Sequence, residues 1–233
     1  MKTRNLMRAR GFLYAALCFV SLPLLFRGTC GASDALSISE ILARIQHRYG
    51  TADFEADFVQ ESHLKAMGMV DAAQGHVYFK PPAMMHWHYK TPEEYFIISD
   101  GNSLWIYRPQ DNQVMVSRAA DYFGDMKWAE FFVQPDRLHD HFVVELAATQ
   151  AQEEGRFVLK LVPKQEQTDL TEILLYVSKS TFDIVQAATF NVFGDKTSIR
   201  FAGFRFNQGL DASLFMFKIP KDADVVQLGE EAG

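Results

Sequence analysis

Two histidine pairs are the residues whose types and spacing come nearest to a chemical site. In each pair the imidazoles stand two residues apart, at His86-x-His88 and at His139-Asp140-His141. Two rings at this spacing lie on one face of a strand and can share a metal ion. A stable site needs further ligands, and neither pair has an evident third ligand nearby. We therefore expect both pairs to be polar surface positions, with no bound metal.

No other pattern in the sequence indicates catalysis. A nucleophile elbow, a phosphate-binding loop, a HExxH zinc motif and a dinucleotide fingerprint are all missing from it. The acidic pairs Glu93-Glu94 and Glu153-Glu154 fall at turn signals, where solvated surface is the ordinary interpretation. We expect a protein that is not an enzyme and carries no cofactor.

The N-terminus has the pattern of a cleavable secretory signal. Residues 1–11 carry four basic side chains and no acid, residues 12–26 are almost wholly apolar, and Cys30-Gly31-Ala32 offers small residues for cleavage. The apolar run is shorter than the roughly twenty residues of a membrane span. We expect residues 1–32 to be the signal peptide and residues 33–233 a single domain, with an uncleaved anchor as the alternative.

Removal of this signal would make the chain strongly acidic. Residues 1–32 hold five basic and no acidic residues, so the formal charge would change from −6 to −11. That charge argues against nucleic acid and against anionic lipid surfaces as partners. Both cysteines, Cys18 and Cys30, lie in the signal, which leaves the mature part without a disulfide or a thiolate nucleophile.

Two segments are expected to be helical. Ser37-Ile38-Ser39-Glu40 is a capping-box pattern, and apolar residues follow it at three- and four-residue spacing up to Tyr49, with Gly50 as a stop. This helix, Ser37–Tyr49, has one apolar stripe. The second segment, Asp121–Val133, places Tyr122, Trp128, Phe131 and Phe132 in a helix-compatible arrangement before Pro135.

Nearly all the remaining sequence alternates apolar and polar residues with period two. This alternation predicts half-buried strands, and about ten of them separated by tight turns predict an antiparallel meander. The alternating segments are Phe54–Phe58, Val77–Phe79, Met85–Tyr89, Phe157–Leu161, Ile173–Val177, Ile199–Phe201 and Phe215–Ile219.

The balance of elements also suggests an apolar cavity. Aromatic residues make up 13% of the chain and nine methionines add adaptable apolar surface, although such richness alone is more typical of a core. One long sheet covered by only two helical segments would leave apolar space between them. Such a space suits acyl chains, whose burial contributes about 0.8 kcal/mol per CH₂ group.

Six motifs, in this order, resemble the outer-membrane lipoprotein carrier family, LolA. Each is weak alone, but their order and spacing are specific, and the resemblance spans about residues 36 to 228. The motifs are FEADFVQ (54–60), GHVYFKPPAMMHWHY (75–89), PEEYFIISDGNSLWIYRPQDNQV (92–114), LVPK (161–164), FGDKTSIRF (193–201) and FMFKIPKDADVV (215–226).

The resemblance implies both a fold and a role. The fold is mainly antiparallel β with a few helices (α+β), an unclosed β-barrel whose apolar mouth is covered by an α-helical lid. The role is that of a monomeric periplasmic chaperone for protein transport and outer membrane biogenesis. It takes acylated lipoproteins from an inner-membrane ABC lipoprotein-releasing complex to an outer-membrane lipoprotein receptor, without bond-making chemistry.

The same resemblance assigns the ligand-binding residues. The Ser37–Tyr49 helix and the Asp121–Val133 segment would form the lid, and inward strand positions would form the cavity wall. The expected lipid-binding residues are Leu42, Ile45, Phe54, Phe58, Val77, Phe79, Met85, Trp87, Tyr89, Trp128, Phe131, Phe132, Ile199, Phe201, Phe215 and Phe217.

One position departs from the family pattern. The better-known members carry an arginine just before the proline that precedes the tryptophan strand, and this arginine ties barrel to lid. The matching position here is Pro81, which has no side-chain donor. Lys80, one residue earlier, is expected to face the other way, so we transfer no gating residue.

Three other functions remain open from the sequence. A membrane-anchored acceptor of the same fold, like LolB, would need a lipidated Cys30, and Arg27-Gly28-Thr29 before it is a poor lipobox. A carrier with the same fold could hold another lipid. A hydrolase or metal enzyme would need a convergent set of ligands or a nucleophile, which the sequence does not offer.

Overall fold

The structure, a computed structural model, describes residues 36–120, 138–147 and 155–228. The predicted signal peptide and the predicted helix at Asp121–Val133 lie outside these residues. The described elements are helix α1 (Ile38–Tyr49), strands β1 (Phe54–Leu64), β2 (Met69–Lys80), β3 (Met84–Thr91), β4 (Tyr95–Asp100), β5 (Ser103–Arg108) and β6 (Gln113–Arg118), the short helix α2 (Leu138–His141), strands β7 (Phe142–Leu146), β8 (Arg156–Pro163), β9 (Glu172–Ser178), β10 (Ile184–Phe190) and β11 (Lys196–Phe206), a 3-10 helix (Ala212–Phe215), and strand β12 (Asp224–Gln227).

Helix α1 begins where the sequence predicts. Ser37 is the N-cap: its hydroxyl accepts a hydrogen bond from the Glu40 amide at 3.3 Å, while the Glu40 carboxylate accepts one from the Ser37 amide at 2.8 Å. The capping box is therefore confirmed. The apolar stripe of α1 packs onto the sheet and buries Ile41, Leu42, Ile45 and Tyr49.

The twelve described strands all belong to one unclosed sheet. Its order is β12-β6-β5-β4-β3-β2-β1-β11-β10-β9-β8-β7. The two runs β1–β6 and β7–β11 are meanders, as predicted, and β1 joins them by pairing with β11. All the pairings are antiparallel except that of β12 with β6, which is parallel. The fold class is confirmed as mainly β, with few helices among the described residues.

The sheet curls around one apolar core. Strand β3 lies three steps from β11, a distance of about 14 Å in a flat sheet at 4.7–4.9 Å per step. Nevertheless, the rings of Trp87 on β3 and Phe201 on β11 are only 6.0 Å apart. The face that carries these rings, together with α1, forms a single buried cluster. We call this concave side the inner face.

A β-bulge in β11 changes which side chains face inward. Asp57 pairs with Ala202 and Glu55 with Arg205, so β11 has one residue more than β1 over this interval. Gly203 lies in it with a φ of +68°, a conformation that favours glycine. The extra residue lets Phe201 and, beyond the bulge, Phe204 and Phe206 all pack with the inner cluster.

The outer face of β3–β5 is covered by the C-terminal segment. The Leu214 carbonyl lies 2.8 Å from Nδ1 of His86, whose neighbour Trp87 points to the inner face. The ring of Phe217 lies 5.4 Å from that of Tyr107, on the same outer side. The chain then adds β12 to the sheet edge.

The predicted strand at Phe215–Ile219 is therefore wrong. Asp211 caps a 3-10 helix through a hydrogen bond from the Ser213 amide to its side chain, and Phe215 ends that helix. The residues between Phe215 and β12 belong to no strand. The alternation of Phe215, Phe217 and Ile219 mimics a strand because Phe215 and Phe217 both pack onto the outer face, while Ile219 is exposed.

Candidate functional site

The inner face is lined by a continuous layer of aromatic rings. Phe58 and Trp87 meet edge to face with their ring centroids 4.9 Å apart, and the Phe54 ring stacks on that of Phe79 at the same distance. All four side chains are nearly or completely buried. Because β1, β2 and β3 alternate cleanly, their inward positions fall next to one another and form one apolar surface.

This layer becomes less buried towards one end of the sheet. Tyr95 stacks on Tyr89 with ring centroids 4.1 Å apart, and the Tyr89 hydroxyl donates a hydrogen bond to the Gln60 side chain at 3.0 Å. Tyr95 is only half-buried, and its burial raises the pKa of its hydroxyl. Polar groups therefore replace apolar ones where the inner face approaches solvent.

Beyond these tyrosines lies an open groove, which we call the mouth groove. It has a volume of about 510 Å³, and its apolar lining comprises Tyr95, Ile97, Ile106 and Met115. A smaller hollow of about 240 Å³ shares Tyr95 with it and continues towards Gln60 and Ala73. The groove is within the 300–1,000 Å³ range of small-molecule sites, and it joins the buried aromatic layer through Ile97.

The rim of the mouth groove is mostly acidic. Glu93 and Glu94 from the β3–β4 turn and Asp111 from the β5–β6 turn border it, with Arg108 as the cation of the lining. Nε2 of His88 on the outer face lies 2.9 Å from Glu94. This arrangement places apolar and charged side chains next to each other, so that it can receive a group with an apolar part and a polar part.

The C-terminal end of α1 is fastened to the sheet at the end away from the mouth groove. Nε of Arg48 donates to the Asp183 carboxylate at 2.8 Å, and the Arg48 guanidinium lies 3.6 Å from the centre of the Phe206 ring. The adjacent Tyr49 hydroxyl accepts a hydrogen bond from the Ile184 amide at 2.8 Å. Complete burial raises the pKa of the Tyr49 hydroxyl. These contacts attach the helix to β10 and β11.

The structure brings most of the expected lipid-binding residues together on this inner face. Those in its buried cluster are Leu42, Ile45, Phe54, Phe58, Val77, Phe79, Met85, Trp87, Tyr89, Ile199 and Phe201. Trp128, Phe131 and Phe132 lie outside the described residues. Whether the clustered residues touch lipid stays a prediction.

Phe215 and Phe217 are not part of this face. Phe217 contacts Trp105 and Tyr107 of β5, whereas the neighbouring Leu104 and Ile106 pack with the inner cluster. Phe215 is fully buried at the end of the 3-10 helix, which contacts β3 and β4. Their assignment to the cavity wall was wrong because it relied on strand parity in a segment that is not a strand.

Sequence reasoning missed two groups of residues. Ile106 and Met115 line the mouth groove, but the run Leu104–Tyr107 is apolar throughout, so that its inward positions cannot be read from alternation. Phe204 and Phe206 turn inward only because of the bulge. A glycine inside a strand pattern is a signal for such a bulge, and Gly203 supplied it.

One of the four histidines, His86, is not the polar surface residue that we expected. His86 is largely buried, its Nδ1 faces the Leu214 carbonyl, and its Nε2 has no hydrogen-bond partner within the described ranges. Burial lowers the pKa of His86. His139 and His141 are exposed on α2. No group of three or more His, Cys, Asp or Glu side chains in the described parts of the chain could hold a metal ion.

Pro81 begins the turn between β2 and β3, and Lys80 ends β2 on the outer face. Its ammonium donates to the Leu210 carbonyl, so this lysine binds the C-terminal segment and faces away from the inner side, as expected from parity. None of the helices in the described ranges has the length and hydropathy needed to cross a membrane.

The sequence is similar to named carrier proteins along nearly its whole length. A family model described as outer membrane lipoprotein carrier protein LolA matches residues 50–218. An outer-membrane lipoprotein carrier protein of Chromohalobacter salexigens is 26% identical over 223 residues, covering 96% of this chain and all of the relative. One from Methylococcus capsulatus is 27% identical over 208 residues, covering 89% of this chain and 96% of the relative.

Solved structures share the fold. A crystal structure of an uncharacterized conserved protein from Thermus thermophilus superposes with a TM-score of 0.55 at 19% identity, covering 82% of this chain and 99% of that one. At this identity the match supports the fold alone. The family model, by contrast, covers more than half of the sequence, including Gly50 directly after α1, the aromatic layer and the mouth groove. The chain belongs to the LolA family of outer membrane lipoprotein carrier proteins.

Proposed function

We propose that this chain is a periplasmic chaperone that holds the acyl chains of lipoproteins against its inner face. It receives them from an inner-membrane ABC lipoprotein-releasing complex and delivers them to an outer-membrane receptor. The observation that carries the proposal is the mouth groove, which leads from solvent directly onto a buried aromatic layer. Export rests on the predicted signal peptide at residues 1–32.

Binding would draw its free energy from apolar burial. Each CH₂ group removed from water contributes about 0.8 kcal/mol, so one long acyl chain could supply most of a strong affinity. The mouth groove of about 510 Å³ is too small for several such chains. We therefore expect α1 and the aromatic rings to move apart when cargo enters. Methionines such as Met85 and Met115 are suited to that repacking.

The test is whether the purified mature chain keeps a triacylated lipoprotein soluble after its release from spheroplasts. Ile106→Glu places a charge in the mouth groove, where the side chain is only half-buried, and should reduce recovery of the complex at least tenfold. This variant is a better probe than a change at Phe79, which is almost completely buried and whose loss would damage the fold itself.

Val143→Glu is the matched control. Val143 is on β7 next to the inward-facing Phe142 but is itself exposed, so the same new charge should leave cargo recovery unchanged. Equal recovery with Ile106→Glu and the wild type would contradict the mouth groove as the entrance. A wild-type chain that bound another lipid but left the lipoprotein insoluble would reject the proposed cargo.

A further inference from the structure

The inner face changes from apolar to polar side chains at one level of the sheet. On β1 the inward positions are apolar up to Phe58 and continue as Gln60 and Ser62. On β11 the neighbouring inward position is Thr197, which pairs with Ser62. Tyr89 on β3 extends its hydroxyl to the same level. These four side chains border the aromatic layer where the inner face approaches solvent, and we call them the polar row: Gln60, Ser62, Tyr89 and Thr197.

Hydrogen bonds connect the polar row across three strands. The Tyr89 hydroxyl donates to Oε1 of Gln60 at 3.0 Å, and Nε2 of Gln60 donates to the Ser62 hydroxyl at 3.5 Å. The hydroxyl oxygens of Ser62 and Thr197 lie 3.1 Å apart. All four side chains are uncharged hydroxyls or amides. The bonds orient the Gln60 amide with its oxygen towards Tyr89 and its nitrogen away from it.

The Gln60 amide retains a donor for a ligand. Its nitrogen carries two hydrogens, and within the described part of the chain only the long bond to Ser62 uses one of them. Gln60 is half-buried and lines the smaller hollow of about 240 Å³ beside the mouth groove. Space remains next to Gln60 because its partner on β2 is Ala73, whose side chain is a single methyl group. A donor in this position favours a ligand that supplies an acceptor.

An uncharged acceptor suits this hollow best. The charged residues that border it are Asp71 and Glu93, and both disfavour a phosphate or a free carboxylate. The aromatic layer begins at Phe58, the next inward position of β1 after Gln60. A matching ligand therefore carries a neutral carbonyl group exactly where its apolar part begins. An acyl ester has this order of groups, whereas a fatty acid anion and a plain hydrocarbon do not.

From these observations we propose that the polar row binds the ester carbonyl of an acylglycerol group, with the Gln60 amide as the donor. The acyl chain continues from the hollow along the aromatic layer, and the glycerol stays at the rim.

This inference rests on the proposed function, because it assumes that the inner face receives acyl chains. It adds a basis for selecting between apolar ligands. Burial of an acyl chain has no direction and is nearly the same for any compound with that chain. A hydrogen bond from Gln60, by contrast, distinguishes an ester from other long-chain compounds.

Two lipids that differ only in their carbonyl groups test the proposal. Didecanoylglycerol has ester bonds, and didecylglycerol has chains of the same length in ether linkage, so that apolar burial is nearly equal. Their dissociation constants with the mature chain are measured by displacement of the neutral dye Nile red. Because one net hydrogen bond changes affinity by about two- to tenfold, we expect the wild type to prefer the ester by about fivefold.

Gln60→Glu keeps the shape of the side chain and the oxygen that faces Tyr89, but it replaces the donor nitrogen by an acceptor. Gln60→Leu removes both polar atoms. Both variants should lose the preference for the ester, and Gln60→Leu should bind the ether at least as tightly as the wild type does. Gln74→Leu is the matched control, since Gln74 follows Ala73 on β2 but is exposed, and this variant should keep the preference.

Equal wild-type affinities for the ester and the ether would overturn the inference. A preference that survives in either Gln60 variant, or that also disappears in Gln74→Leu, would overturn it as well. These results would leave the proposed carrier function in place, because both lipids would still bind. A folded wild type that binds neither lipid would instead contradict the proposed function, and this inference with it. Urea unfolding of each variant shows whether the fold is retained.

Discussion

The attachment of α1 by Arg48 can be tested by a double-mutant cycle. Arg48→Met keeps the apolar stem of the side chain and removes the guanidinium that bridges Asp183 and the Phe206 ring. Asp183→Asn removes the opposite charge. Arg44→Met, one turn earlier on the same exposed side of α1, is the control because the Arg48–Asp183 pair stays intact.

The expected loss lies between two well-known limits. Ion pairs in solvent contribute about 0.2–1 kcal/mol, whereas breaking a buried pair costs about 3–5 kcal/mol. Here the Arg48 side chain is 35% exposed and that of Asp183 only 11%. Contact with the Phe206 ring adds about 0.5–1 kcal/mol. We therefore expect Arg48→Met to reduce the free energy of unfolding by about 2 kcal/mol. Arg44→Met should reduce it by no more than about 1 kcal/mol, because Arg44 loses only its contact with the Phe182 ring, 4.9 Å away.

Two measurements locate the effect. Urea unfolding of the four proteins of the cycle gives the coupling between Arg48 and Asp183, for which we expect about 1 kcal/mol or more. Hydrogen exchange of the α1 amides reports whether the helix opens locally. If this pair holds the helix, Arg48→Met should increase the exchange rate of the α1 amides more than that of the strand amides.

Additive losses in the cycle would refute the coupling that we infer from the 2.8 Å contact. Exchange that increases uniformly over α1 and the sheet would show that Arg48 stabilises the whole domain and does not act as a local fastening. An Arg44→Met variant as unstable as Arg48→Met would point to helix propensity or surface charge as the cause.

Two further predictions concern stability. Gly75→Ala should cost more than about 2 kcal/mol in urea unfolding, because its Cβ would lie 2.0 Å from the His88 carbonyl oxygen and 2.8 Å from the Phe58 ring; Gly155→Ala, with open space around it, should cost about 1 kcal/mol from its positive φ alone. Burial lowers the pKa of His86, so the unfolded chain takes up this proton at a higher pH than the folded chain. The stability that neutral His86 contributes is complete above its ordinary pKa of about 6.5 and declines as the pH falls through it. His86→Asn should flatten the fall in unfolding free energy between about pH 7.5 and 5.5, and an unchanged slope would contradict this.

Most of the fold could be predicted because its signals are local. The capping box at Ser37 and the alternation in β1, β2 and β3 each depend on neighbouring residues, and they place Phe58 and Trp87 on the inner face correctly. What could not be predicted depends on contacts that are distant in sequence. The outer-face position of Phe215 is set by its packing across β3, far away in the chain.

The same limit applies to the candidate site. The aromatic layer follows from strand parity, but the mouth groove depends on the pairing of β4, β5 and β6, which brings Ile97, Ile106 and Met115 next to one another. Nothing in the local pattern around Ile106 distinguishes its inward position from that of its neighbour Trp105. The attachment of α1 could not be predicted either, because Arg48 and Asp183 are 135 residues apart in the sequence.

The pairing of β1 with β11 has a consequence for the order of folding. Phe54 lies opposite Phe206 in the middle of the sheet, so the two meanders cannot join until nearly the entire chain has been synthesised. Contacts of such high sequence separation slow folding, since the loop between them must close first. For a chain proposed to leave the cytoplasm before it folds, this delay is useful. The full sheet cannot form before β11 has been synthesised, so the polypeptide remains able to cross the membrane until then.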